Sequence, residues 1–217
     1  MTLRRIVFFV SVACLAAGIS VTVWTFSSRR PNQGMTLSGP AEWVPFEAVY
    51  SVTTNNEVVA TGSISRSSNG STRDESTPIA RPGARSILIV SIARKALFSL
   101  TPDTDVWRVR PLELPQTGYR PRVTLSMAAV ERVDTASISG VEAFVRLPNA
   151  KGTRVTVAPS LNFYPVVVDD PLNATTLKLS SIMLKEPSAE LFEPPAGANM
   201  VWETKPAKLG VFRRQEK

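Results

Sequence analysis

The chain has 217 residues, 43% of them apolar and 20% charged, an ordinary globular balance that excludes a disordered or low-complexity polypeptide. Histidine is absent and Cys14 is the only cysteine, which excludes Ser-His-Asp triads, Cys-His dyads and histidine-containing zinc sites. Of the formal net charge of +7, four arginines among the first thirty residues account for +4, so the remainder is only mildly basic.

Residues 6–26, "IVFFVSVACLAAGISVTVWTF", carry no charge, and as a helix they span roughly 31 Å, enough to cross a bilayer. Arg4 and Arg5 flank one end, and Trp24 and Phe26 lie at the other, where aromatic rings favour the interface. The expectation is a retained transmembrane anchor in residues 1–30. A signal peptide cleaved near Ala16-Ala17-Gly18 is the alternative. Both place the rest of the chain outside the cytoplasm, so the expected location is the cell envelope, with an inner-membrane anchor and the domain in the periplasm. Because Cys14 lies inside the apolar segment, the exported part has neither a disulfide nor a thiol nucleophile.

Residues 31–42 read as an exposed tether, and an ordered β domain is expected over 43–205, with a basic tail at 206–217. In "WVPFEAVYSV" Phe46, Ala48, Tyr50 and Val52 fall on one face, and Asn55-Asn56 turns the chain into "EVVATGSISR". Asn69-Gly70 is the stronger two-residue hairpin signal, so three strands run antiparallel in sequence order. After the Pro82-Gly83 break, the runs Ile87 to Ile92 and Ala96 to Leu100 suit another hairpin around Arg94-Lys95. Next, "DVWRVRPLELP" puts Trp107 and Val109 on one face, Arg108 and Arg110 on the other. Residues 124–133 form the one helical candidate, with Leu125, Ala128, Ala129 and Arg132 at helical spacing. Strands then resume in "ASISGVEAFVRLP", "TRVTVAP", "LNFYPVVVDD" and "TTLKLSSIMLKE". The ending "EPSAELFEPPAGANMVW" closes the sheet, with Leu191 and Phe192 tucked in and a last short strand at Met200 to Trp202.

Groups able to carry chemistry are few. Asp169 and Asp170 are strand neighbours pointing to opposite faces, and before Pro171 they read as turn residues. Asp103 and Asp105 lack a third acidic ligand and also read as a turn. No GxGxxG or P-loop points to a nucleotide, so no cofactor is expected. Arg108, Arg110, Arg120 and Arg122, with Trp107 and Tyr119 interleaved, read first as a solvated face, then as a lipid-headgroup surface, and no nucleic-acid partner is expected. The sequons at Asn69 and Asn173 are weak signals.

The stretches "GSISRSSNGSTRDE", "SISGVEAFVR", "APSLNFYPVVV" and the ending with Pro187, Leu191, Phe192, Glu193, Pro195 and Gly197 are similar to a group of bacterial envelope proteins. These resemble the LolA/LolB-like outer-membrane lipoprotein carrier superfamily, over roughly residues 46–200. The resemblance implies a mainly β fold, a curved antiparallel sheet forming an incomplete half-barrel, with one or a few helices on its concave side, and an apolar cavity for acyl chains. Candidate groove residues are Phe46, Tyr50, Ile87, Ile89, Leu161, Phe163, Leu177 and Leu179, each of which also reads as simple core.

The first functional reading is a non-enzymatic envelope protein, held to the membrane by residues 6–26, that binds a lipid, lipoprotein acyl chains or another apolar ligand as a sensor or delivery module. The second is a structural or protein-interaction β module without a ligand, and the third, remote, is a histidine-free hydrolase.

Overall fold

A computed structural model describes residues 36–101, 104–115, 119–122, 124–126, 136–145 and 152–208. The strands in chain order are β1 (Thr36–Ser38), β2 (Phe46–Thr54), β3 (Glu57–Arg66), β4 (Thr72–Pro78), β5 (Ser86–Ser91), β6 (Ala96–Leu100), β7 (Val106–Glu113), β8 (Thr124–Ser126), β9 (Ala136–Ile138), β10 (Val141–Val145), β11 (Arg154–Ala158), β12 (Tyr164–Asp170), β13 (Thr175–Met183), β14 (Asn199–Trp202) and β15 (Ala207–Lys208). Thirteen of them form one sheet in the order β14-β7-β6-β5-β4-β3-β2-β13-β12-β11-β10-β9, with β15 also on β7, while β1 pairs with β8. Neighbours are antiparallel except for β14 and β15, which run parallel to β7. Among the described residues no helix is long and apolar enough to cross a membrane, and residues 6–26 lie outside them.

The turns follow from their residues. Asn55 and Asn56 both have positive φ, 53° and 66°, and join Thr54 to Glu57 directly, the two-residue hairpin whose twist matches its strands. Asn69-Gly70 does not form such a turn. There the Ser67 N–H donates to the Ser71 carbonyl, and Gly70 alone has positive φ, 86°, which makes a three-residue loop. A side chain at Gly70 would also strike the Trp43 indole, 2.6 Å away. The segment expected as one strand, "ASISGVEAFVRLP", is a hairpin instead, with Ser139 and Gly140 at positive φ between β9 and β10. The expected helix at 124–133 is corrected at its start, since residues 124–126 form β8 on β1, and the rest of it lies outside the described residues. Helical structure in the described part is limited to 3-10 turns, such as Pro159–Leu161 and Ala189–Phe192.

The sheet is open and curved. Val141 and Ala143 of β10 pack with Phe46, Ala48 and Leu161, so its β9–β10 end curls over the face of β2. That concave face takes Phe46, Ala48, Tyr50 and Val52, and the register carries it across β3 and β4 through Ile64 and Asp74 to Leu88 of β5. On the convex face, Ser63 opposes Glu75, and Glu75 opposes Ile87. Ile87 and Ile89 therefore bury on the side opposite Phe46, in a second core with Phe98, Trp107, Val109 and Phe192. The larger core changes side at β4, "TRDESTP", which has no large apolar residue for either face, and beyond it Val90 and Leu112 form a smaller cluster on the concave side.

Candidate functional site

The structure does not gather the eight groove candidates into one lining. Phe46, Tyr50, Leu161 and Leu179 share the concave core, with Leu177 packed against it. Phe163 belongs to the adjoining cluster of Leu125, Val155, Val157 and Val168, which Leu177 also touches. Ile87 and Ile89 are on the convex side under Leu191 and Phe192. A shallow depression of about 420 Å³ does border Tyr50, but it is bounded by Val49, Ser51, Ser63, Glu75 and Thr77 on the outer face.

The concave core contains a charged group that sequence reasoning missed. Arg66 is 2% exposed and follows Ala60, Gly62 and Ile64 in the inward alternation of β3. Its Nε and Nη2 donate to the Val44 carbonyl at 3.0 and 2.8 Å, and Nη2 also reaches the Leu161 carbonyl and Asn162 Oδ1, each at 3.0 Å. The guanidinium carbon lies 5.2, 4.9 and 5.5 Å from the ring centres of Trp43, Phe46 and Tyr164, within cation–π range. No described carboxylate pairs with it. Burial pushes the guanidinium down to about 10, against the Tyr164 and Tyr119 hydroxyls, so it stays charged at neutral pH.

Asn162 completes this cluster. It has left-handed φ, 56°, a conformation asparagine tolerates better than most residues. Its Oδ1 accepts from Arg66 and from the Val44 N–H at 2.9 Å, and its Nδ2 donates to the Pro40 and Glu42 carbonyls, both at 2.9 Å. Residues 36–42, read from sequence as tether, therefore include β1 and two carbonyls clamped by the core. Inward parity on β3 was the available signal for Arg66, whereas nothing local marks Asn162.

A second polar pair spans the concave face. The Tyr50 hydroxyl donates to Asp74 Oδ1 at 2.8 Å across the intervening β3. It can do so because Gly62 sits between them, where a Cβ would collide with the Tyr50 ring and the Glu75 carbonyl. Burial pushes the Asp74 carboxyl up to about 7, a rise that the Tyr50 hydrogen bond only partly opposes, and Glu75 adds to it. Tyr50 is pushed up as well, first by burial and then by the Asp74 charge.

Other candidates resolve into structural roles. Asp170 accepts from the Leu172 N–H and Asn173 Nδ2, and Asp169 from Thr176 Oγ1, so this carboxylate pair organises the β12–β13 connection. Arg108 and Arg110 both reach Glu203, at 3.2 and 3.5 Å, while Trp107 is buried on the opposite face and Tyr119 stacks on Trp43. Trp107 is thus on the face of β7 away from Arg108 and Arg110. Asp103 lies outside the described residues, and among these no three potential ligands cluster for a metal.

One exposed apolar surface lies at the outer edge of β14. All four of its residues are exposed, Trp202 at 68% and Val201 at 49%, and among the described residues β14 pairs on one side only.

No family model matches this chain. No curated protein matches it either. Among solved structures it is similar to an uncharacterized conserved protein from Thermus thermophilus, at 10% identity and a TM-score of 0.39 over 74% of this chain and 91% of that one. It is also similar to a chain in the complex structure of Pseudomonas aeruginosa MucA/MucB, at 13% identity and a TM-score of 0.42 over 72% of this chain and 58% of that one. A structure of MucB in complex with MucA(peri) gives 12% identity and a TM-score of 0.42, over 73% of this chain and 57% of that one. At these values the likenesses carry no statement about what this chain binds.

Proposed function

We propose that this chain is a membrane-held, extracytoplasmic β-sheet module without enzymatic activity, which works by pairing its open edge with another polypeptide. The observation that carries this reading is β14, a four-residue edge strand with Met200, Val201 and Trp202 exposed and no charge or proline within it. Natural sheets ordinarily guard an edge with lysine, proline or a bulge, and an unguarded apolar edge is a template for strand addition. Packing of the groove candidates into three clusters rather than one lining supports a protein-interaction role over a ligand cavity.

The rival is the acyl-chain groove that the LolA/LolB-like resemblance implies, and the curl of β10 over an apolar concave face favours it. One experiment separates the two. The full chain, extracted from membranes in mild detergent, is assayed for polypeptides captured through β14 and, by native mass spectrometry, for bound lipid. Edge pairing predicts capture by the wild type, loss of capture in Trp202→Lys and no lipid beyond the detergent-exchanged background. Lipid retained in proportion to protein, with capture unaffected by Trp202→Lys, would favour the groove and reject the edge.

A further inference from the structure

We infer that the polypeptide pairing with β14 is a second copy of this chain, docked antiparallel about a two-fold axis through Val201, an inference that rests on edge pairing as the function. Backbone direction fixes the register. The Glu203 N–H donates to the Val109 carbonyl of β7 at 2.8 Å. Alternate residues of a strand send their N–H and C=O to opposite sides, so Val201 and Asn199 also face β7, and Met200 and Trp202 face the open edge. In an antiparallel pair centred on Val201, Met200 lies opposite the partner's Trp202. These are the residues whose free groups can exchange both hydrogen bonds, and the symmetry repeats the exchange on the other side of the axis.

The side chains agree with the same register. Met200 and Trp202 are in register with Trp107 and Val109, which belong to the convex core, so Met200 against the partner's Trp202 continues that core across the axis and makes a sulfur–aromatic contact. Val201, in register with Arg108 on the other face, meets its own symmetry mate. Asn199 lies opposite the partner's Glu203, so no like charges oppose each other along the strand. Lys205 and Pro206 come after the exposed stretch and limit pairing to it.

The test is disulfide mapping on the full chain in detergent, in a Cys14→Ala background. Val201→Cys puts two thiols about 4.5 Å apart at Cα, as in a non-hydrogen-bonded antiparallel pair, and is expected to cross-link to a dimer under mild oxidation. Asn199→Cys alone and Glu203→Cys alone, whose equivalent positions lie roughly 13 Å apart along the strands, are expected not to cross-link, whereas their equimolar mixture is. Adding Trp202→Lys to Val201→Cys should lower the dimer yield at least about tenfold. All four positions are solvent-accessible or half-buried on the surface, and circular dichroism checks that each variant is folded.

A monomer by light scattering with no cross-link at residue 201, or cross-linking indifferent to position, overturns the second copy. If residue 201 is instead cross-linked in cells to a different polypeptide, the second copy is rejected and edge pairing stands. If residue 201 cross-links to nothing in detergent or in cells, both fall.

Discussion

Arg66 Nη2 donates to Asn162 Oδ1 at 3.0 Å, joining the end of β3 to the turn before β12 across 96 residues of sequence. The same amide holds the chain at Pro40, Glu42 and Val44, so one side chain ties three distant segments together. Asn162→Gly keeps the left-handed backbone and loses these bonds, and should cost about 2–4 kcal/mol in urea unfolding. Asn162→Ala should cost about 1 kcal/mol more, because alanine resists that φ. In both variants, protease cleavage should shift to residues 36–45, and equal protection there in variant and wild type would refute the clamp.

Asp74 should make stability depend on pH. Its folded value, about 7, is raised above the unfolded value of about 3.9, so the native state holds the proton more tightly. Stability therefore falls as pH rises from about 4 to about 7, and this contribution levels off above that. Asp74→Asn should flatten the slope. Tyr50→Phe, which removes the hydrogen bond that favours the ionised form, should move its upper end to higher pH. Urea midpoints measured at half-unit pH steps decide this, and a slope unchanged in Asp74→Asn would reassign the effect to another group.

Two glycines provide a matched comparison. Gly62→Ala puts a Cβ against the Tyr50 ring and the Glu75 carbonyl, and should cost about 2–4 kcal/mol as the Tyr50–Asp74 bond is displaced. Gly83→Ala meets nothing within 4 Å and should stay within about 0.5 kcal/mol of wild type. Similar thermal shifts in the two variants would contradict the close approach of Tyr50 to β3.

Phe163 is 6% exposed, has φ of 58° and lies against Gly39, where an added Cβ would be 3.1 Å from its ring. Phe163→Asp should unfold the domain, because it places an unpaired carboxylate among Leu125, Val155 and Val157. A folded Phe163→Asp protein, judged by circular dichroism, would mean that this position opens onto a groove.

Much of the strand pattern is legible because period-two alternation is a property of single segments. Phe46, Ala48, Tyr50 and Val52 declare the buried face of β2, and Trp107 and Val109 that of β7. Sequence does not say that these are opposite faces of one sheet, since that depends on the register carried through β4, whose polar residues give no sign of it. For the same reason Ile87 and Ile89 look like companions of Phe46 in sequence and are strangers to it in space. At Asn69-Gly70 the sequence marks the turn but not its type, because the three-residue form depends on Ser67 pairing with Ser71. Arg66 and Asp74 are hidden by a general expectation that charge faces water, which a core furnished with carbonyls or a tyrosine hydroxyl overrides.

The concave side does not end at the polar strand β4. Val90 of β5 and Leu112 of β7 are buried there on the reverse of the Ile87 core, with Tyr119 packed against them, and Tyr119 stacks on Trp43, whose indole lies over the Arg66 guanidinium beside Phe46. Side-chain packing therefore runs along the concave face from β2 to β7, and the sheet should melt as one cooperative unit. Amide exchange would show this as a single plateau shared by β2–β3, β5–β7 and β11–β13.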